Sequence, residues 1–94
     1  MLMTTGAIGM IETRGFLCAV EAADTMIKAG GIEIIGKESI GEGYTTLIIQ
    51  GELGAVKAAV NAGADSASKI GEIVSAYVIG RPHPELTSLL PCRG

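Results

Sequence analysis

The stretch Leu17-Cys18-Ala19-Val20-Glu21-Ala22-Ala23 has a counterpart further along the chain, Leu53-Gly54-Ala55-Val56-Lys57-Ala58-Ala59. The shared pattern Leu-x-Ala-Val-x-Ala-Ala is rich in strong helix formers. Each copy is preceded by a strand-like run and followed by glycine and a second such run. Ahead of the first copy, Ala7–Thr13 reads as a strand, and the helix spans Gly15–Ala29. Phe16, Ala19, Val20, Ala23, Met26 and Ile27 recur at helical spacing and are expected inward. Glu21, Asp24, Thr25 and Lys28 gather on the other side, and Gly30-Gly31 stops the helix. The β-branched runs Ile32–Lys37 and Tyr44–Gln50 predict a hairpin.

The second helix is expected over Leu53–Lys69, with Leu53, Val56, Ala59, Val60, Gly63 and Ala67 inward and Lys57, Asn61, Asp65 and Ser68 outward. Gly71 ends that segment, and Glu72–Ile79 reads as a fourth strand. Gly80-Arg81-Pro82 breaks it. Pro84–Leu90 suits a short helix opened by proline, and residues 91–94 read as a frayed tail. The order is βαββαβ, an α+β chain built from two similar βαβ halves. It predicts a ferredoxin-like, four-stranded antiparallel sheet with both helices on one face, or a swapped or permuted variant of it. Residues 5–90 form one domain.

That arrangement leaves one sheet face open. Thr46–Ile49 and Ile73–Ile79 carry apolar residues on both faces, so the open face needs a partner or the Pro84–Leu90 segment folded over it. A chain of 94 residues with two Tyr, one Phe and no Trp has a modest core, which oligomerisation would reinforce. Net charge is −3 and the basic residues are scattered, which argues against nucleic acid. The start Met-Leu-Met-Thr-Thr has no basic n-region, so no signal peptide is expected. No apolar run reaches membrane-span length. Cys18 and Cys92 lack metal-ligand spacing and are expected to stay reduced, consistent with a cytoplasmic protein.

Catalytic chemistry finds little support. His83 lies between two prolines, with Glu85 as its only local carboxylate, and reads as a turn residue. Nothing brings Glu12 and Glu42 together as an acid–base pair. Cys18 has no adjacent base and reads as a small core residue. Lys28 complements a helix C-terminus, and Arg81 reads as a solvated loop residue. No cofactor or metal set is evident.

The segment Ser39-Ile40-Gly41-Glu42-Gly43-Tyr44 stands out instead. It places a carboxylate at a hairpin tip between two glycines, where backbone geometry or close approach excludes a side chain. It does not match a phosphate loop, because a strand follows it, no third glycine completes the spacing, and Glu42 would repel phosphate. Around a symmetry axis, Glu42 would become a ring of charge.

Several runs carry a specific resemblance. They are Gly9-Met10-Ile11-Glu12-Thr13-Arg14-Gly15, Ala19-Val20-Glu21-Ala22-Ala23-Asp24-x-Met26-x-Lys28-Ala29, Gly51-Glu52-Leu53-Gly54-Ala55-Val56-Lys57-Ala58-Ala59, Gly63-Ala64 and Val78-Ile79-Gly80-Arg81-Pro82-His83. In this order they resemble the single-domain, hexamer-forming shell proteins of bacterial microcompartments, similar to those of propanediol- and ethanolamine-utilisation compartments. The likeness covers the chain from about Thr5 to Leu90. It implies a structural protein in the microcompartment shell, without enzymatic activity. Six copies would close head-to-tail into a disk. Disks would tile edge to edge with other shell proteins around the enclosed enzymes.

The resemblance places Ile40, Gly41, Glu42 and Gly43 at a central pore for small polar metabolites, and Lys28 and Arg81 at the edge between hexamers. Lys28 would bury its aliphatic stem there and offer its ammonium to neighbouring carbonyls. Six Glu42 carboxylates would favour cations and neutral polar molecules over anions. Alternatively, Glu42 points away from the axis and solubilises the turn. Three residues differ from many relatives: Glu42 replaces a small or hydroxyl residue, Gly31 an asparagine at the edge, and Gly80 a proline. A different class also suits this fold, a metabolite-binding regulatory module in which Gly41–Gly43 is a ligand loop. A small enzyme on the same scaffold lacks a catalytic set.

Overall fold

A computed structural model of the chain describes residues 6–81. The elements follow the expected order: β1 (Ala7–Arg14), α1 (Phe16–Ala29), β2 (Ile32–Ile40), β3 (Tyr44–Gly51), α2 (Leu53–Ser68) and β4 (Glu72–Ile79). The four strands form one sheet in the order β2-β3-β1-β4, and every neighbouring pair is antiparallel. This is the ferredoxin-like arrangement expected from the repeat. One strand of each βαβ half lies between the two strands of the other. The proposed helix at Pro84–Leu90, and with it His83 and Cys92, lies outside the described residues. Among the described residues, no helix is long and apolar enough to cross a membrane.

Alternation along the strands creates two apolar faces. Ala7, Ile11, Leu47 and Ile49 pack with Cys18, Ala19, Ala22 and Met26 of α1 and with Val56, Ala59, Val60 and Ala67 of α2. Ile8, Ile35 and Ile48 form a second cluster, joined by Met10 and Ile79. Cross-strand pairs place Ile8 beside Ile79 and Met10 beside Ile48, on the opposite side of β1 from Ile11. Thus the expectation of apolar residues on both sheet faces holds. Fully burying such a side chain contributes about 1.5–3 kcal/mol, so both faces of the central strands matter to stability. β2 carries a bulge between Ile34 and Gly36, and β1 meets β4 with a shift between Glu12 and Thr13. Each re-aims a side chain without ending the pairing.

α1 differs from its sequence reading. Ala19 and Met26 are buried as expected, but Cys18 and Ala22 share that face. Phe16, Val20 and Ile27, expected inward, are exposed, as is Leu17. The small residues win the inner face because the helices cross closely. A Cβ added to Gly63 of α2 would fall 2.7 Å from Met26 Cγ and 3.2 Å from the Ala22 carbonyl oxygen. Large side chains do not fit such a crossing. Glu21, expected outward, bridges the two helices instead: it accepts hydrogen bonds from Thr25 at 3.2 Å and from Ser66 at 2.5 Å. In α2 the expected face is buried except for Leu53. The Glu52 carboxylate caps this helix by accepting from the Gly54 N–H at 2.7 Å.

Candidate functional site: two ends of one sheet

The hairpin tip is a three-residue turn, Gly41-Glu42-Gly43, closed by the facing pair Ile40 and Tyr44. Ser39 and Ile40, read from sequence as loop, extend β2 instead. Glu42 has φ +69° and Gly43 has φ +84°. Glycine adopts this left-handed region freely, whereas a residue with a Cβ is disfavoured there by about 1–2 kcal/mol. Glu42 is the only described non-glycine residue with positive φ. Gly41 is different. Its φ is ordinary, and a Cβ there would meet nothing within 4 Å. Nothing within the described chain therefore requires glycine at 41.

The turn is held from β1. The Gly15 N–H donates to the Gly43 carbonyl at 2.8 Å. Arg14 faces Tyr44 across the strands, and its guanidinium carbon lies 5.6 Å from the Tyr44 ring centroid. This is a cation–π distance. Ser39 and Thr45 approach at 3.5 Å between hydroxyl oxygens just behind the turn. Sequence reading missed Arg14 and Gly15 as supports. The clue is present once β1 is laid beside β3, since its last residues must then fall next to Tyr44.

Lys28 and Arg81 sit at the other end. Lys28 is in the last turn of α1, which leads through Gly30-Gly31 into the start of β2. There Ile32 faces Gly51, and Gly51 faces Ala7. Ile79, two residues before Arg81, faces Ile8 on the same edge. An open hollow of about 830 Å³ is lined there by Gly31, Glu33, Gln50, Gly51 and Arg81, among others. An eight-residue strand spans about 25 Å, so that distance separates the two ends. It fits the longest molecular dimension of 33 Å.

Lys28 is exposed, and its ammonium pairs with Asp24 one turn earlier at 2.8 Å. The hydrogen bond to Asp24 and its charge raise the Lys28 pKa, so the side chain stays cationic. Gly31 has φ +74°, and a Cβ there would lie 3.0 Å from that of Ala55. Asparagine tolerates this φ better than most residues, but here it would crowd α2. Cys18 is buried, and its thiol points to the carbonyls of Ala67 at 3.4 Å and Glu72 at 3.7 Å. Burial raises its pKa and keeps it protonated. Among the described residues, no cluster of His, Cys, Asp or Glu has the arrangement of a metal site.

Comparison with known proteins gives a consistent picture. The carboxysome shell protein CsoS1C of Halothiobacillus neapolitanus is 48% identical over 93 residues, covering 97% of this chain and 95% of its own. The bacterial microcompartment shell protein PduA of Citrobacter freundii is 46% identical over 89 residues, covering 95% and 96%. A solved microcompartments protein from Desulfitobacterium hafniense DCB superposes with a TM-score of 0.78 at 26% identity; the match covers 86% of this chain and 44% of that one. The BMC domain family model matches residues 7–82. With that match spanning the hairpin turn, Lys28 and Arg81, the chain belongs to the BMC domain family.

Proposed function

We propose that this protein is a structural subunit of a bacterial microcompartment shell. Six copies close into a disk, with Gly41-Glu42-Gly43 around the central pore and Lys28 and Arg81 on the outer edge. The observation that carries this reading is the placement of the two sets at opposite ends of one sheet. A wedge-shaped protomer in a ring needs that separation: one end meets the axis and the other meets the next disk. The shell names of the relatives support it, and so do the exposed Phe16, Leu17, Val20, Ile27, Val74 and Tyr77. Large apolar side chains left on the surface suit burial by neighbouring copies.

Glycine at 41 supports the reading further. With no reason for it among the described residues, the space suits a neighbour near the axis. Six Glu42 carboxylates there favour cations and neutral polar metabolites over anions. At the edge, Lys28 exchanges its exposed Asp24 contact for backbone carbonyls of the next disk. Exposed ion pairs of this type are weakly held, which makes the exchange inexpensive. The protein acts by assembly and sieving in the shell; it turns over no substrate.

Negative-stain microscopy of the purified protein tests this directly. Hexagonal disks, sheets or tubes are expected without any added ligand. Lys28→Asp should leave disks and remove sheets. Small discrete oligomers, with a thermal shift on adding a metabolite, would instead identify a regulatory module. Sheets that persist in the aspartate variant would remove Lys28 from the edge.

A further inference from the structure

We propose that Arg14 forms a cationic collar beside the Glu42 rim, so that the pore carries charges of both signs and disfavours small oxyanions less than the Glu42 ring alone would. This rests on the reading of the turn as a pore rim. Strand register supplies the argument. Glu33 faces Gln50, which faces Ile8; Glu38 faces Thr46, which faces Glu12; and Arg14 faces Tyr44 and Glu72. Facing residues share a side of the sheet. Glu12, Glu33, Glu38, Glu72 and Arg14 therefore lie on the side away from the helices. The other basic residue in the described strands, Lys37, faces Leu47 on the helix-bearing side. Among the described strand residues, Arg14 is thus the single cation on this acidic face.

Its strand position sets it beside the turn. Arg14 lies over the Tyr44 ring that follows the turn, and the next residue, Gly15, holds the Gly43 carbonyl. Among the described residues the ion pairs are Lys28–Asp24 and Lys69–Asp65, so none of the described carboxylates pairs with the Arg14 guanidinium. Arg14 is exposed. A guanidinium fork matches carboxylate and phosphate oxygens. Without it, the charged strand residues that an anion meets on the turn half of this face are Glu12, Glu38 and Glu72, ahead of the Glu42 ring. Field focusing in a narrow mouth makes each ring charge count more than on an open surface.

The test is reversal potential of the assembled protein in planar bilayers, under a potassium chloride gradient and then with acetate replacing chloride. Arg14→Gln should move the reversal potential toward that of potassium and suppress acetate current. Arg14→Lys should restore both, because it keeps the charge while losing the planar fork. Glu42→Gln should move the potential in the opposite direction. A turn merely loosened by the substitution would not give a signed shift that lysine rescues. If Glu42→Gln shifts selectivity and Arg14→Gln does not, the collar is wrong and the pore rim stands. If neither variant shifts it in channels that still conduct, the turn does not line the pore and both ideas fall.

Discussion

Replacing Gly9 by alanine tests the packing that holds the sheet against α2. A Cβ on Gly9 would fall 2.7 Å from Val60 Cγ2, 2.8 Å from Val56 Cγ1 and 3.0 Å from Ile49 Cγ1. All three neighbours are buried. Ordinary contact starts near 3.4 Å, so α2 must lift by about 0.7 Å or the valines must leave their rotamers. Overpacking of this kind costs about 1–3 kcal/mol. Loss of unfolded-state freedom on going from glycine to alanine returns about 0.4–1 kcal/mol. The net destabilisation is about 1–2 kcal/mol, or a fall in Tm of about 5–15 °C for a domain of this size. Thermal melting by circular dichroism measures it, at matched protein concentration because the proposed assembly would also contribute to stability. Gly41→Ala is the matched control, since a Cβ at Gly41 meets nothing and its φ is ordinary. The dissociated protomer should gain about 0.4–1 kcal/mol. A Gly9→Ala protein as stable as the parent would refute the close β1–α2 packing on which the fold description depends.

The remaining predictions concern the pore, the buried thiol and the edge. In assembled protein, Gly41→Ala should lower pore conductance, as six methyl groups enter the space near the axis; unchanged conductance would place Gly41 away from it. For Cys18, burial raises the native pKa above the ordinary thiol value of 9.0. Stability is then complete below pH 9 and falls as pH rises toward the native value, because the unfolded chain releases its proton first. Urea unfolding across this range should show the fall in the parent and not in Cys18→Ala. Asp24→Asn should return the Lys28 pKa toward its ordinary value, read by NMR titration of the ammonium, while sheets still form. Loss of sheets would mean that the Asp24 contact persists between disks.

The fold was largely legible because its signals are local. The repeated helix pattern, the glycines at 30, 31 and 71, and the β-branched hairpin arms gave all six described elements in order. The inner face of α1 was legible only in part: Ala19 and Met26 are buried as expected, the other large residues of that set are not. Phe16, Val20 and Ile27 follow helical spacing as well as any core set, and size favoured them. What displaced them is the close crossing at Gly63, a tertiary fact that no single helix reports. In the proposed assembly the exposed residues are surface for neighbouring copies, which a sequence pattern would record in the same way as core. The turn was legible at Glu42 but not in its supports. Arg14 and Gly15 act on it through strand pairing between β1 and β3, far apart in the chain. Lys28 and Arg81 came from resemblance alone, and only the sheet register places them at the end opposite Glu42.

A cryo-electron microscopy map of the purified, assembled protein tests the central claim most directly. The account predicts six-fold disks with Gly41-Glu42-Gly43 around the axis and Lys28 at the perimeter. A ring with the turn at its outer rim, or an assembly without six-fold symmetry, would contradict it.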